Sequence, residues 1–365
     1  MLHLSIRRFP PALAALALAL MGPCPAARAS LSGAEVYADA CASCHGADGR
    51  GSPEGGAITT PLPDFTDCVT ATAETTANWR GLIRHGGKFL GMSTQMPAFG
   101  DALSDEEIRA VIEYVHGFCK DPRYPLGDLN FPRPLFVEKA FPEDEVVLSF
   151  DYESARDART ASWEAALEKR IGARGQVEVS LPVSYVQPDQ GGSASGVGDL
   201  GLSYQHVLFA DPAWNSIVAA RLAVTLPTGK TTDGIGSGTA VFAPQLLAGQ
   251  ALGWFILQAE VAAEVPVDAA SADRQMLYAF AFQYRLGPYK KSPVVELELQ
   301  QTQALASDVD AATVLGPGLY LPLSRRGHVA ISAGAQFPVA GRRPYDWLVG
   351  SFLLWDFTDG PLWAW

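Results

Sequence analysis

From about residue 143 onward, the chain alternates apolar and polar side chains over segments long enough to cross a lipid bilayer. In 177–185, Val, Leu and Tyr hold the odd positions, and Glu, Ser and Pro stand between them. Successive side chains of a β-strand point to opposite faces, so the alternation predicts strands with one apolar face. Twelve such strands are predicted, near 144–153, 160–171, 175–187, 197–209, 215–228, 239–251, 253–266, 273–287, 292–304, 311–323, 327–339 and 345–357.

These segments have the length, number and connections of an antiparallel up-and-down barrel that spans an outer membrane. A tilted transmembrane strand needs about 9–11 residues, and bacterial barrels have an even strand count with short turns and longer loops on opposite sides. Residues 172–174 form a short turn, whereas 188–196 and 229–238 are longer and rich in Gly. Only four Lys follow residue 143, which is few for a water-exposed face. A soluble sandwich or lipocalin-like barrel would show the same alternation and stays an alternative.

Residues 30–122, ahead of the barrel, contain the run Cys41-Ala42-Ser43-Cys44-His45. C-x-x-C-H is the attachment motif of c-type haem. Its two thiols add to the two vinyl groups, and the adjacent His reaches the iron. A redox dithiol or half of a zinc site would share the cysteines, but neither a βαβ pattern nor a second ligand pair accompanies them. The motif predicts one covalent haem c, attached through Cys41 and Cys44 and ligated by His45.

A second motif lies close to the end of this region. Met96 begins the sequence Met-Pro-Ala-Phe-Gly, and Ser104 to Glu107 form a capping box that predicts the start of a helix. Together with Cys-Ala-Ser-Cys-His-Gly, these motifs resemble a small class I cytochrome c over about a quarter of the chain. The resemblance implies an all-α domain in which His45 is the proximal and Met96 the distal iron ligand. Met92 and His85 are the competing candidates for the distal position.

The N-terminus has the features of an export signal. Arg7 and Arg8 precede the apolar run 12–21, and an A-x-A cleavage pattern ends at Ala29. Residues 1–29 are therefore predicted to be a signal peptide. Export is also what haem attachment requires, since in bacteria it is an extracytoplasmic event.

Export leads to a prediction for two further cysteines, Cys68 and Cys119. Disulfides form and persist in oxidising compartments. We therefore predict a disulfide between them, with two buried free thiols as the alternative.

Residues 123–142 are rich in Pro and show no sustained period, so they are predicted to be a semi-extended linker. Phe131, Leu135, Phe136 and Phe141 are too apolar for a free linker. We expect them to pack on the helical domain, on the barrel, or on both.

The barrel region, residues 143–365, also carries a looser resemblance. Gly198 to Leu202 and Leu226 to Lys230 are similar to segments of the outer-membrane transporter family associated with phenol-degradation pathways. Carboxylates on the polar face of the predicted strands are expected to line a polar lumen and to affect what passes through it, namely Glu178, Glu260, Glu264, Glu296 and Glu298.

Charge and topology restrict the function. The formal net charge of −12 argues against nucleic acid as a partner, and no Ser/His/Asp or paired-carboxylate set indicates an enzyme. An even strand number puts both barrel ends on the periplasmic side. The leading hypothesis is a haem c electron carrier anchored in the outer membrane, which exchanges electrons with periplasmic redox proteins. The alternatives are a porin–cytochrome conduit across the membrane, a transporter of a small apolar solute with an accessory haem domain, and a soluble periplasmic haem enzyme.

Overall fold

The computed structural model describes residues 30–51, 58–231, 234–270, 272–305 and 309–357. The predicted signal peptide, residues 1–29, lies outside the described residues. Within the described ranges, no helix is both long enough and apolar enough to cross a membrane.

The first part of the chain is helical. A continuous helical segment consists of α1, a π turn and α2, and three further α-helices and two short 3-10 helices (Gly87–Leu90 and Gly127–Leu129) follow in the described residues. The capping box predicted at Ser104 is present: Ser104 Oγ accepts from Glu107 N at 3.3 Å, and Glu107 Oε2 accepts from Ser104 N at 2.9 Å. The elements are α1 (Gly33–Val36), the π turn (Tyr37–Cys41), α2 (Ala42–His45), α3 (Cys68–Ala73), α4 (Thr76–His85) and α5 (Asp105–His116).

The core of this helical domain forms between α5 and the first helical segment. Ile108 and Ile112 on α5 are at most 2% exposed and pack with Val36 and Tyr37. α1 approaches α5 so closely that a Cβ on Gly33 would lie 2.1 Å from the carbonyl oxygen of Ala110. Only glycine fits this crossing. The segment that follows α1 is therefore held at a fixed place on α5.

The second part is a closed antiparallel barrel. The strands are β1 (Glu145–Ser154), β2 (Ala158–Ile171), β3 (Gly175–Pro188), β4 (Ala194–Val197), β5 (Leu200–Asp211), β6 (Ser216–Leu226), β7 (Val241–Leu252), β8 (Phe255–Pro266), β9 (Gln275–Arg285), β10 (Val294–Ala304), β11 (Ala312–Pro322), β12 (Val329–Gly341) and β13 (Trp347–Asp356). Sequential strands pair, and β1 pairs with β13 to complete the ring. β4 pairs only with the far end of β3, so twelve of the described strands form the wall. The predicted fold class, a small all-α domain followed by an up-and-down barrel of about 12 strands, is confirmed.

The apolar face of the barrel points outward. On β3, Val179 and Leu181 are 45% and 42% exposed, whereas Gln176 is 5% exposed. Gln258 and Glu298, on β8 and β10, are each 1% exposed. A soluble barrel or sandwich buries its apolar face, and a membrane barrel turns it toward lipid. The soluble alternative is therefore inconsistent with this structure.

One short strand was not predicted. The predicted strand near 197–209 corresponds to β5, which begins at Leu200, whereas β4 lies almost wholly within 188–196, which was predicted to be a loop. Asp199 stands between the two strands, and its carboxylate accepts hydrogen bonds from Gly229 N at 2.8 Å and from Ser237 N at 2.7 Å. These contacts hold Asp199 against a loop about 30 residues further along the chain. The alternation of the sequence gives no sign of them.

Residues 129–142, which we call the lumen segment, lie inside the barrel. Leu129, Phe131 and Phe141 are at most 3% exposed. A Cβ on Gly249 would lie 2.8 Å from the ring of Phe131, so the wall approaches this side chain as closely as a glycine allows. The apolar residues of the predicted linker thus pack on the barrel, and they do so on its inner face. Their inward-facing partners are Val207, Ile217, Ala219, Leu247 and Ile256.

Carboxylates that were predicted to line the lumen bind the backbone of this segment. Glu298 Oε1 accepts from Leu135 N at 2.7 Å and from Phe136 N at 3.1 Å. Glu260 Oε2 accepts from Glu138 N at 3.1 Å. These bonds satisfy backbone donors that no regular secondary structure would pair. The lumen is polar, as predicted, and its polar groups hold a segment of the same chain.

Ion pairs reinforce the lumen segment. Arg133 Nη1 lies 2.5 Å from Glu168 Oε1, and Lys139 Nζ lies 2.5 Å from Glu143 Oε1. Arg221 of β6 contributes a third cation, 2.6 Å from Glu138 Oε1. Desolvated charges persist only when they are paired and hydrogen-bonded. The lumen segment therefore contributes to a network that neither the barrel nor the segment satisfies alone.

The helical domain rests on the short-turn end of the barrel. The backbone N–H of Lys290, in the turn after β9, donates to Asn78 Oδ1 on α4 at 3.2 Å. In the same turn, the ring of Tyr289 meets that of Phe89 with centroids 5.0 Å apart. These contacts place α4 and the loop after it against the barrel rim.

Candidate functional site

The three residues of the attachment motif share one helical segment. Cys41 ends the π turn, and Cys44 and His45 follow in α2. Both thiols are half-buried and neither is in a disulfide. A π turn widens a helix by one residue and is frequent at functional sites. This local geometry brings Cys41, Cys44 and His45 to the wall of a single cavity.

That cavity has a volume of about 1040 Å³ and a mainly apolar lining. Cys41, Cys44 and His45 form part of its wall, and Met96 forms another part. The remaining lining includes Ile58, Pro61, Leu62, Phe65, Leu82, Leu90, Phe99 and Leu103. Two thiols, an imidazole, a thioether and an apolar enclosure are the donor set and surroundings that a covalently held haem requires. The residues present therefore fit the group.

The loop that carries Met96 is fixed by two glycines. Gly87 N donates to Met96 O at 3.1 Å, and a Cβ on Gly87 would lie 2.0 Å from Ser93 O. Gly86 has φ +77°, a conformation that favours glycine. The chain just after α4 can therefore lie in direct contact with the backbone of the Met96 loop.

Two of the competing distal candidates are distinguished by their positions. Met96 is half-buried and packs against the helical core, whereas Met92 is 40% exposed, although both line the cavity. His85 does not line it. The geometry favours Met96 over Met92 and His85.

The chemistry of the motif residues also favours an iron site. Burial lowers the pKa of His45, which keeps the imidazole neutral, and the His45 ring stacks on Phe65 with centroids 5.0 Å apart. Nδ1 of His45 is buried and makes no hydrogen bond to the described residues. Burial and the nearby Cys44 raise the pKa of Cys41 to about 11. Redox-active dithiols have lowered thiol pKa values, so this environment disfavours the dithiol alternative.

Contacts behind the cavity brace its walls. Tyr37 Oη donates to Gly46 O at 2.8 Å, just after His45. Cys68 and Cys119 form a disulfide with a Cα–Cα distance of 4.8 Å, which ties the start of α3 to the chain after α5. This is the pair predicted from the sequence. The disulfide closes the side of the domain on which the chain leaves for the barrel.

Two groups on the cavity wall were missed in the sequence analysis. Trp79 on α4 has a buried Nε1 that makes no hydrogen bond to the described residues. Arg326 lines the same cavity but belongs to the turn between β11 and β12. The helical period of α4 is a sequence signal that could have indicated Trp79 as a cavity-facing residue. Nothing in the local sequence of Arg326 connects it to a site about 280 residues earlier.

The helical domain is similar in sequence to known cytochrome c proteins. The family described as cytochrome c oxidase, cbb3-type, subunit III matches residues 28–115. The cbb3-type cytochrome c oxidase subunit CcoP of Cereibacter sphaeroides is 35% identical over 88 residues, 24% of this chain and 27% of the relative. Subunit FixP of Azorhizobium caulinodans is 34% identical over 97 residues, 26% of this chain and 28% of the relative. The chain spans about a quarter of the length of these curated relatives.

Solved structures resemble the barrel. An outer membrane channel from Pseudomonas putida F1 superimposes with a TM-score of 0.48 and 16% identity, covering 62% of this chain and 99% of that one. The KdgM porin gives a TM-score of 0.40 and 8% identity, covering 58% and 99%. The barrel itself is established by its own strand pairing. The chain thus combines a cytochrome c domain similar to cbb3-type oxidase subunit III, a family that implies covalent haem c, with a twelve-strand β-barrel.

Proposed function

We propose that this protein carries electrons at the outer membrane through one covalent haem c, with its own barrel as the anchor and the cytochrome domain on the periplasmic side. The observation that carries the proposal is the cavity in which Cys41, Cys44, His45 and Met96 converge, in a chain whose barrel turns its apolar face outward. With His45 and Met96 both bound, the iron would have no open position for a substrate, so this pair of ligands supports electron transfer rather than catalysis.

Each residue has a role in this proposal. Cys41 and Cys44 attach the haem, and His45 and Met96 hold the iron. The haem supplies one-electron chemistry when bound. The apolar cavity limits access of water, and a thioether ligand together with an imidazole would raise the reduction potential of the haem. Two protein ligands to the iron would also disfavour oxygen chemistry, which argues further against the haem enzyme.

The end of the barrel that the cytochrome contacts supports the proposed periplasmic location. Outer-membrane barrels have their short turns in the periplasm. Tyr289 and Lys290, which touch α4 and the loop after it, belong to such a turn. The first strand begins and the last strand ends at this same side of the barrel, which supports a cytochrome domain on the side to which export would deliver it.

The charge of the cytochrome domain indicates a class of partner. Residues 30–122 contain 13 Asp and Glu against 6 Lys and Arg. Acidic surfaces attract basic ones and speed their encounter at low ionic strength. The proposed partners are therefore periplasmic redox proteins with a basic docking surface.

A conduit for electrons or a passage for a small apolar solute is a weaker candidate. The lumen segment occupies the interior that either would use, and it is held there by Glu298, Glu260 and the ion pair of Arg133. About 30 Å of hydrocarbon separates the two sides of the membrane. Among the described residues, no further haem-attachment motif lies along that path.

Membrane fractionation with haem staining of denatured gels tests the proposal. We expect haem-positive protein in the outer-membrane fraction, with gel mobility that changes on heating, as folded barrels show. Haem-positive protein that is free in the periplasm would contradict the anchor. A chain without covalently bound haem would contradict the electron-carrier function.

The distal ligand has its own test. Met96→Ala should abolish the charge-transfer band of a Met-ligated ferric haem and lower the reduction potential, because the thioether ligand is lost. Met92→Ala is the matched control and should leave the band and the potential unchanged. An unaltered spectrum in the Met96 variant, or the loss of the band in the Met92 variant, refutes the assignment.

A further inference from the structure

One residue of the haem cavity comes from the barrel. Arg326 stands in the turn between β11 and β12 and lines the cavity together with Glu74, Asn78 and Trp79 of the helical domain. The cavity is therefore complete only when the helical domain rests on the barrel rim.

Specific contacts hold this turn against the cytochrome domain. Arg326 Nε lies 3.7 Å from Glu74 Oε1, and the Arg326 carbonyl accepts a long hydrogen bond from Asn78 Nδ2 at 3.5 Å. The side chains of Arg326 and Glu74 are 26% and 18% exposed. Asn78 also accepts from Lys290 N on the neighbouring turn. The guanidinium is thus partly desolvated and tied to both halves of the chain.

A second observation concerns Trp79, which also lines the cavity. Its Nε1 is buried and makes no hydrogen bond to the described residues. An indole N–H can only donate, and a buried donor without an acceptor is costly. Haem carries two propionate groups, which are acceptors with negative charge. A buried indole donor and a guanidinium, both from residues that line the cavity, are groups that could bind the propionates.

We propose that Arg326 is a positioning residue for the haem: the barrel turn presents its positive charge to the propionate end of the cavity and thereby raises the reduction potential. This inference rests on the proposed function. A positive charge favours the ferrous form, because reduction lowers the net charge of the haem by one unit. The other charged residues that line the cavity are Asp39, Asp67 and Glu74, which act in the opposite direction. Loss of Arg326 leaves Glu74 without this counter-charge, so both changes lower the potential.

The test is a spectroelectrochemical titration of the full chain in detergent. In Arg326→Gln, the ratio of ferrous to ferric haem at a fixed potential should fall roughly tenfold, which corresponds to about 59 mV for one electron. Arg326→Lys keeps the charge and should stay close to the wild type. Arg325→Gln is the matched control, since Arg325 is exposed in the same turn, donates to Lys88 O and does not line the cavity. It should leave the potential unchanged.

The outcomes separate this inference from the proposed function. Equal potentials in the Arg326→Gln and Arg325→Gln variants overturn the role of Arg326, as does a Lys variant that is as low as the Gln variant. If Arg326→Gln fails to fold with haem, the reduction potential of Glu74→Gln is measured instead. Removing the negative charge that opposes Arg326 should raise this potential. An unchanged potential overturns the inference. Absence of covalent haem from the wild-type chain overturns the proposed function instead.

Discussion

Replacing Arg133 by Gln should loosen the lumen segment from the barrel. Its guanidinium lies 2.5 Å from Glu168 Oε1 and within 3.7 Å of Glu145 and Glu138 carboxylate oxygens. The side chains of Glu168 and Glu145 are 2% and 3% exposed. The substitution removes the cation closest to Glu168 and leaves Glu145 with Lys139, 3.2 Å away, in a place that water barely reaches.

The magnitude follows from the burial of the network. Removing one partner of a buried ion pair destabilises by about 3–5 kcal/mol. We take the lower figure, about 3 kcal/mol, because a carboxylate left unpaired can bind a proton. At roughly 1.4 kcal/mol for each factor of ten, the open population of the segment rises about 150-fold.

Hydrogen exchange of the full chain in detergent measures this change. Peptides covering 129–142 should exchange up to about 150-fold faster in Arg133→Gln, because opening exposes the amides of Leu135, Phe136 and Glu138. Peptides from the barrel wall should change little. Arg123→Gln is the control: its side chain is 71% exposed and pairs with Asp121 at the surface. Exchange in the Arg133 variant no faster than in the control would refute the reasoning.

Two further predictions concern the disulfide and the lipid-facing surface. Cys68→Ser with Cys119→Ser removes a link between residues 51 positions apart and should cost the helical domain about 4 kcal/mol, measured by denaturant unfolding followed through the haem spectrum. In reductant, the unfolding midpoint of the wild type should approach that of the double variant. If the two proteins have the same midpoint without reductant, the disulfide does not have this role. Leu181→Arg puts a charge on the outer face of β3 and should destabilise the membrane-embedded barrel by about 2–4 kcal/mol, judged by heat-dependent gel mobility. Ala213→Arg in a short turn should be tolerated, and equal behaviour of the two variants would refute the outward lipid-facing assignment.

The strands were predictable because their outer face must be apolar at every second position. Predicted and observed bounds of β3 differ by one residue, and those of β10 by two. The short strand β4 and the start of β5 were not predicted, since Asp199, which lies between them, is held by a loop that is distant in sequence. Alternation reports which face a side chain occupies, and it does not report which loop will fold back onto the strand.

The same distinction applies to the lumen segment and to the candidate site. The cysteines and His45 lie within five residues, so their convergence follows from local helical geometry. The apolar residues of the predicted linker indicated burial, but the partners of Phe131 and Phe141 lie on four strands, β5 to β8, and no pattern within the segment identifies them. Arg326 was not predictable for the same reason, because its neighbours are set by the docking of two domains.

The lumen segment limits how far the haem can travel. Leu129 is enclosed by the barrel wall, and the disulfide at Cys119 ties the chain to the helical domain. About ten residues connect these two fixed points, and fully extended they span at most about 35 Å. Even if the cytochrome domain separated from the barrel rim, this connection would keep it within that distance of the barrel. Its encounters with a membrane-bound partner would then depend on their local spacing, as for any tethered reactant, and no longer on bulk concentration.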